Sequence, residues 1–405
     1  MKKVLVKNRI LSLFSGAGGD TRGFEDAGWK VTHFSEFNET AIQTHQRAFP
    51  SSKLISGKDG SNNIKDIPDS TFQELKGQID LIFAGFPCQG FSHAGKKKTN
   101  DPRNELVHEF VRATKLIQPR WIIGENVKGL LSRKGVYPEN TTPRPVIEII
   151  REIFEKIGYK ITYNVIDATQ VGVPQLRKRL IIIGHRGDEY PHVAWNQLCT
   201  EETPTIRSIL SPTLEGAVEL PALYRPADQP SRFWIQTSET VPSGTPHSNL
   251  TRLVEGIRNL SKKELKEQGK DEKLRIPIKE AGGLISFGTR ASGYHGQILD
   301  PDAPSKTIIC AYNQCPRLFV GLYNPTVKKY WVRCLTPKEC GQIQGFPADY
   351  PWQGSLKDMI NQIGNAVPPP LATRVASLLS RVTFSSTPQK IITQEQTDDS
   401  EEEED

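Results

Sequence analysis

Cys88 stands in LIFAGFPCQGFSHAG (81–95), one step past an apolar run and between a proline and a glutamine. A structural cysteine sits inside such a run and behaves as a small hydrophobe. A thiol presented in the Gly- and Pro-punctuated turn beyond it can instead ionise and add to an electrophilic carbon. Glu125 closes the next apolar run, RWIIGENV (120–127). A carboxyl near a thiol in a partly buried cleft can be held protonated or shared with a ligand nitrogen. In QVGVPQLRKRLIIIG (170–184), Gln175, Arg177 and Arg179 alternate, so on a strand entry all three project to one face. Two cations and an amide converging there suit an anionic or carbonyl-bearing ligand. Each residue alone has a plain structural alternative: a turn cysteine, a capping or ion-paired glutamate, solvated strand arginines.

A second constellation points to a cofactor. LFSGAGGDTRGFEDAGW (13–29) places a glycine-rich turn between a strand and a helix, where backbone N–H groups can approach a ligand closely. Glu36 ends the following strand, twenty residues after Gly16, where an acid can accept hydrogen bonds from a ribose. The sixth position from Gly16 is Thr21, which breaks the dinucleotide fingerprint. An adenosine ligand without a pyrophosphate therefore fits better than a nicotinamide or flavin.

These residues need a frame that brings strand ends together. Strand-like runs at 9–14, 30–36, 79–85, 120–126, 159–167 and 179–185 alternate with helical patterns at 38–48, 104–117 and 145–157. Such alternation predicts an α/β fold, a mostly parallel Rossmann-like sheet with helices on both faces. Beyond Arg186 the chain becomes rich in Pro, Gly, Ser and Thr with no sustained period, which predicts a second, irregular domain. One charged stretch there, SKKELKEQGKDEK (261–273), reads as a solvated helix, and compact helical patterns return at 336–345 and 369–382. The expected division is 1–186 and 331–385 for a catalytic and cofactor-binding domain, 187–330 for a smaller one, and 386–405 for a disordered acidic tail.

Composition narrows the classes. No stretch approaches 18 consecutive apolar residues, so no membrane span is expected. The N-terminal lysines and apolar residues resemble a signal peptide, but Lys7, Asn8 and Arg9 interrupt them and favour a first strand. Six cysteines in 405 residues suit a reduced intracellular protein. Cys310, Cys315, Cys334 and Cys340 lack the tight spacing of a zinc site, and no metal is expected. The net charge of +6 understates the body, because DDSEEEED (398–405) holds seven of the 46 acids; without them 39 acids face 52 bases, a net of +13. That balance suits a polyanionic partner.

Taken together, GFPCQGFS (85–92), ENV (125–127), QLRKR (175–179), RCLTPKECGQIQGFP (333–347) and IGNAVPPPLA (363–372) resemble, in order and spacing, the cytosine-C5 DNA methyltransferase family. The resemblance runs from residue 10 to about 383, apart from the middle, where family members share no sequence. It implies a seven-stranded sheet, S-adenosylmethionine as methyl donor and cytosine in double-stranded DNA as acceptor. Cys88 then resembles the nucleophile that adds to C6, Glu125 the group contacting N3 and the 4-amino group, and Arg177 and Arg179 the pair that orients the base. For the cofactor, Phe14 resembles the ring packed on adenine, Gly16, Gly18 and Gly19 the turn, and Glu36 the ribose acceptor. Pro87, Leu106 and Asn365 match further contact positions. The family's Asp-Ile pair is matched by Asn63-Ile64, with Asp66-Ile67 as the alternative. Residues 187–330 resemble the target-recognition region by position, Arg290 being one candidate reader, and Lys96, Lys97 and Lys98 are candidates for phosphate contacts. The resemblance further implies a monomer that associates with DNA inside the cell, with room for a separate cognate restriction endonuclease. The rivals are a tRNA cytosine-5 methyltransferase and a non-catalytic DNA-binding relative; the first usually carries Cys-Phe-Thr, absent here, and the second loses the thiol or the Glu-Asn-Val segment, present here.

Overall fold

The computed structural model describes residues 8–87, 106–137, 140–200, 202–220, 231–259, 285–287 and 296–389. In chain order its first strands are β1 (Arg9–Leu13), β2 (Lys30–Ser35), β3 (Lys53–Leu54), β4 (Leu81–Ala84), β5 (Trp121–Val127), β6 (Lys134–Tyr137), β7 (Asn140–Pro145), β8 (Tyr159–Asp167) and β9 (Lys178–Arg186). Between them lie helices α1 (Gly19–Asp26), α2 (Glu39–Ala48), α3 (Asp69–Glu74), α4 (Leu106–Ile117) and α5 (Val146–Lys156). Seven strands form one sheet in the order β3-β2-β1-β4-β5-β9-β8. Five of them, β1 to β5, pair in parallel, while β9 runs antiparallel between β5 and β8. The expected α/β, mostly parallel, seven-stranded fold is present.

The helices cover the sheet as their periodicity requires. On α5, Ile147, Ile150, Ile153 and Phe154 are buried, and Phe154 meets Phe110 of α4 edge-on with ring centroids 5.0 Å apart. Burying each such aromatic stabilises the fold by about 1.5–3 kcal/mol. The opposite face is covered by Phe24 of α1 and by a helix from the far end of the chain, Pro369–Leu378, which contributes Leu371, Ala372 and Val375. A Cβ on Gly23 would lie 2.2 Å from the Pro369 carbonyl oxygen, so these two helices meet backbone to backbone.

The rest of the described chain contains β10 (Tyr190–His192), β11 (Val218–Glu219), β12 (Trp234–Gln236), β13 (Ile285–Phe287), β14 (Gly296–Ile298), β15 (Leu318–Asn324), β16 (Lys329–Cys334) and β17 (Thr383–Ser385). Its helices are α6 (Ser248–Asn259), α7 (Pro337–Ile343), α8 (Leu356–Asn365) and α9 (Pro369–Leu378). A second sheet runs β11-β16-β15-β14-β13, with β12 alongside β15. The middle of the chain is thus more regular than its composition suggested: most of these strands are two or three residues long, too short to show an alternation. The hairpin β15–β16 crosses the expected boundary at 330–331.

Other elements without a counterpart in the sequence expectations include β3, α3, the β6–β7 hairpin, α6, α8 and β17. Helix α8 carried a legible start, since Ser355 and Asp358 form a reciprocal capping box. Strand β17 pairs with β10, and Gln389 then hydrogen-bonds both the N–H and the carbonyl of Val193. The first four residues of the expected tail are therefore placed against the edge of the large sheet. The charged stretch 261–273 and residues 390–405 lie outside the described residues.

Candidate active site and cofactor cleft

The carboxyl ends of β1, β2, β4 and β5 open on one edge of the sheet. Register sets their heights: Leu13 pairs with Ala84, and Ala84 with Gly124, so Glu125 stands one residue beyond the end of β4. Antiparallel β9 delivers its amino end to the same edge, with Val127 opposite Arg179. The Arg179 guanidinium Nε lies 3.0 Å from Glu125 Oε1, and both side chains are nearly excluded from solvent. Burial pushes the Glu125 carboxyl up, while Arg179 and then Arg177 pull it back. Its second oxygen lies 3.8 Å from the place a Cβ on Gly85 would occupy, an ordinary contact distance.

The chain leading to Cys88 is anchored at Phe86. Asn126 donates its side-chain N–H to the Phe86 carbonyl at 3.0 Å, while its own carbonyl oxygen accepts from Val127 N–H. Pro87, the next residue, is half-buried. Cys88 itself, and Lys96, Lys97, Lys98 and Arg290, lie outside the described residues. Leu106, where the described chain resumes, opens α4 and packs on the main core.

Gln175, Arg177 and Arg179 are all buried, but they do not converge on one ligand face. Gln175 bonds the Gln344 side chain at 2.6 Å and the Ile308 N–H at 3.1 Å. Arg177 donates to the carbonyls of Gly364 (2.8 Å), Ala366 (3.2 Å) and Ile308 (3.4 Å). Of the three, Arg179 makes the direct contact with Glu125. Arg177 instead clamps the returning chain, and the residue between its two bonded carbonyls is Asn365, which is exposed at the end of α8.

The cofactor candidates cluster at the ends of β1 and β2. Phe14 has φ 57° and packs partly buried against the main core. Gly16 and Gly18 also have positive φ (55° and 86°), the left-handed conformation that glycine adopts without steric cost. Behind this turn, a Cβ on Gly19 would lie 2.2 Å from the Val367 carbonyl oxygen, and the Tyr350 hydroxyl donates to the Ala17 carbonyl at 2.5 Å. In front of it, a Cβ on Gly16 would meet nothing within 4 Å. Glu36 accepts from the N–H groups of Gly16 (2.8 Å), Phe37 (3.0 Å) and Asn38 (2.9 Å). A carboxylate has about four lone-pair sites, so one remains for a ligand hydroxyl. The Phe37 ring beside it is 76% exposed. An open turn, a carboxylate with a spare acceptor site and an exposed aromatic face fit an adenosine-bearing ligand.

Asn63 and Ile64 diverge. Asn63 is exposed, and its side chain caps the short turn Ile64–Asp66 by accepting from Lys65 N–H. The Ile64 side chain is buried in the main core, and its carbonyl accepts from Arg112. Asp66 accepts from the Ser61 hydroxyl at 2.6 Å. Sequence reasoning passed over Phe37, Tyr350, Asn126 and Gln344. For Phe37 the available signal was its place directly after Glu36; the other three act through partners 40 to 333 positions away, which no local pattern displays.

Residues 8–381 match the family model for C-5 cytosine-specific DNA methylase. The Type II methyltransferase M.PspPI of Psychrobacter sp. (strain TA137) is 32% identical over 379 residues, covering 92% of this chain and 79% of that protein. M.FnuDI of Fusobacterium nucleatum is 30% identical over 376 residues, covering 91% and 93%. Among solved structures, the S. pombe Dnmt2 methyltransferase superposes with a TM-score of 0.55 at 16% identity, covering 92% of this chain and 98% of that one, a likeness of fold.

Proposed function

This chain belongs to the C-5 cytosine-specific DNA methylase family, and from that premise we propose that it methylates a cytosine turned out of duplex DNA through a covalent adduct at Cys88. The protein is a DNA (cytosine-5)-methyltransferase, and its methyl donor is S-adenosylmethionine. The bound donor supplies an electrophilic methyl group. The chain's own residues supply the rest. The Cys88 thiolate adds to C6, and the C5–C6 double-bond electrons move to C5 as Glu125 hydrogen-bonds N3 and the 4-amino group. C5 then takes the methyl group, loses its proton to a base, and the double bond re-forms as the thiolate leaves. Arg179 holds the Glu125 carboxylate in place, while Arg177 acts at one remove, by fixing the return segment that presents Asn365.

The observation that carries this reading is the buried Glu125–Arg179 pair at the strand end beside the Phe86–Pro87 turn. A carboxyl pushed up by burial is suited to giving or sharing a proton with the ring nitrogen. Extruding the base costs roughly a few kcal/mol of unstacking and unpairing. Phe14, the Gly16–Gly19 turn, Glu36 and Phe37 are assigned to the adenosine, with Asn63, exposed at its cap, ahead of Asp66 for the adenine amino group and Pro87 and Leu106 flanking the site. Residues 187–330, including much of the second sheet, are assigned to target recognition. The relatives' names extend the proposal to the modification arm of a type II restriction-modification system, a monomer acting inside the cell beside a separate endonuclease. Among the described residues no helix is long and apolar enough to cross a membrane. Incubation with methyl-labelled cofactor and either duplex DNA or tRNA tests the substrate: label on DNA is expected, and label on tRNA alone would overturn it.

A further inference from the structure

Asp20 is a buried titratable group that the reaction above does not use. It opens α1 at the end of the glycine turn and is 1% exposed. Its carboxylate accepts from the Ser12 hydroxyl at 2.5 Å and from the Ser15 hydroxyl at 3.3 Å, one from the strand beneath the turn and one from the turn itself. Among the described residues no cationic side chain pairs with it; Arg22, on the same helix, turns to Asp26. The groups around it are poor sources of compensating charge. His45 on α2 reaches the cluster through Thr21 and is held down to about 3 by burial, so it stays neutral. Tyr350 faces Asp20 from the return segment, is pushed well above the usual phenol range by burial, and also stays neutral. Glu36, at the end of β2, and Glu25 on α1 add only negative charge.

A buried carboxylate without a cation is costly, and this one lies against the turn assigned to the cofactor. We propose that Asp20 is a positioning charge that lets the cleft distinguish the cationic sulfonium form of the cofactor from its neutral thioether product. The inference rests on the reading of residues 14–19 as the cofactor turn. Methyl transfer leaves the adenosine unchanged, so Glu36 and the exposed Phe37 ring meet the same groups before and after reaction. What changes is one positive charge, lost from sulfur as the S–CH3 bond breaks and its electrons stay on sulfur. A fixed negative charge in a low-dielectric setting responds to that difference. Burial raises the Asp20 carboxyl to about 6, so it is ionised at neutral pH and becomes neutral below that. A cationic ligand holds it ionised and so releases a proton on binding near pH 6; a neutral ligand does not.

Calorimetric titration of the whole protein with S-adenosylmethionine and with S-adenosylhomocysteine, from pH 5.5 to 8 in buffers of different ionisation enthalpy, tests this. The expected result is proton release near pH 6 with the sulfonium ligand only. In Asp20→Asn that release disappears, and the affinity ratio of sulfonium over thioether falls roughly fivefold or more at pH 7.5. An unchanged ratio and unchanged proton release in Asp20→Asn would overturn the proposal. If that variant does not fold, Ser12→Ala serves: losing a donor to the carboxylate moves the midpoint of proton release to higher pH, and an unmoved midpoint counts against Asp20. Failure of both ligands to bind the unaltered protein would instead overturn the cofactor turn itself.

Discussion

At the scale of single residues, the site depends on how a buried carboxyl is partnered. Glu125 has Arg179 at 3.0 Å, and the planar guanidinium fork fixes its orientation in a way that an ammonium does not. Arg179→Lys keeps the charge and loses that geometry. Single-turnover methylation should slow by about two orders of magnitude, in line with removal of one positioned donor, with cofactor affinity nearly unchanged in calorimetry. Asp20 presents the opposite case, a carboxyl with no cationic partner among the described residues. Its folded value of about 6 lies above the ordinary 3.8, so the folded chain binds the proton more tightly than the unfolded chain. The stability this contributes is present below pH 4 and lost as pH rises to 6, by about 3 kcal/mol. Urea melts should therefore show Asp20→Asn gaining on the unaltered protein between pH 4 and 6, with a constant difference above. Cys88 and Glu125 stand out in the sequence by their place at the ends of apolar runs, and Glu36 by its spacing of twenty residues after Gly16. Asp20 did not, because a carboxylate after two glycines reads as an ordinary helix start.

At the scale of elements, the strands and amphipathic helices of the large sheet follow from hydrophobic period, and α4 and α5 lie where that period puts them. Two-residue β3 shows no period at all, and the role of Arg177 depends on contacts 131 to 189 positions away. Alternation put Gln175, Arg177 and Arg179 on one face toward a ligand; only Arg179 lies on β9, and the three find separate buried partners. The glycine turn separates two functions of the same residue type. Gly19→Ala places a methyl group 2.2 Å from the Val367 carbonyl oxygen, so it should lower the melting temperature by several degrees and cofactor affinity with it. Gly16→Ala meets no atom within 4 Å and costs only its left-handed φ of 55°, about 1–2 kcal/mol. It should fold, and lose cofactor binding because the methyl group fills the open side of the turn. Comparable affinity loss in both with equal melting temperatures would contradict this division.

At the scale of the whole molecule, the chain leaves the large sheet at Arg186, builds a second sheet, and returns to cover one face of the first with α9. Where β16 runs into α7, the chain is pinned to residues 211–213 by buried polar contacts. Arg333 and Glu339 form an ion pair at 2.7 Å, almost fully excluded from water, and bind the Ser211 and Thr213 backbone between them. Glu339→Ala strands a buried guanidinium and should cost about 3–5 kcal/mol in denaturant unfolding. The five motifs mark the ends of this circuit in the sequence; the second sheet between them left little trace, since most of its strands are too short to show a pattern. In the function proposed above, these ends meet to methylate C5 of cytosine through Cys88. Bisulfite sequencing of DNA from cells expressing the protein or its Cys88→Ser variant is the decisive measurement. Protected cytosines within one recurring sequence, present with the unaltered protein and absent with the variant, are the predicted result; the same protected cytosines with Cys88→Ser would contradict it.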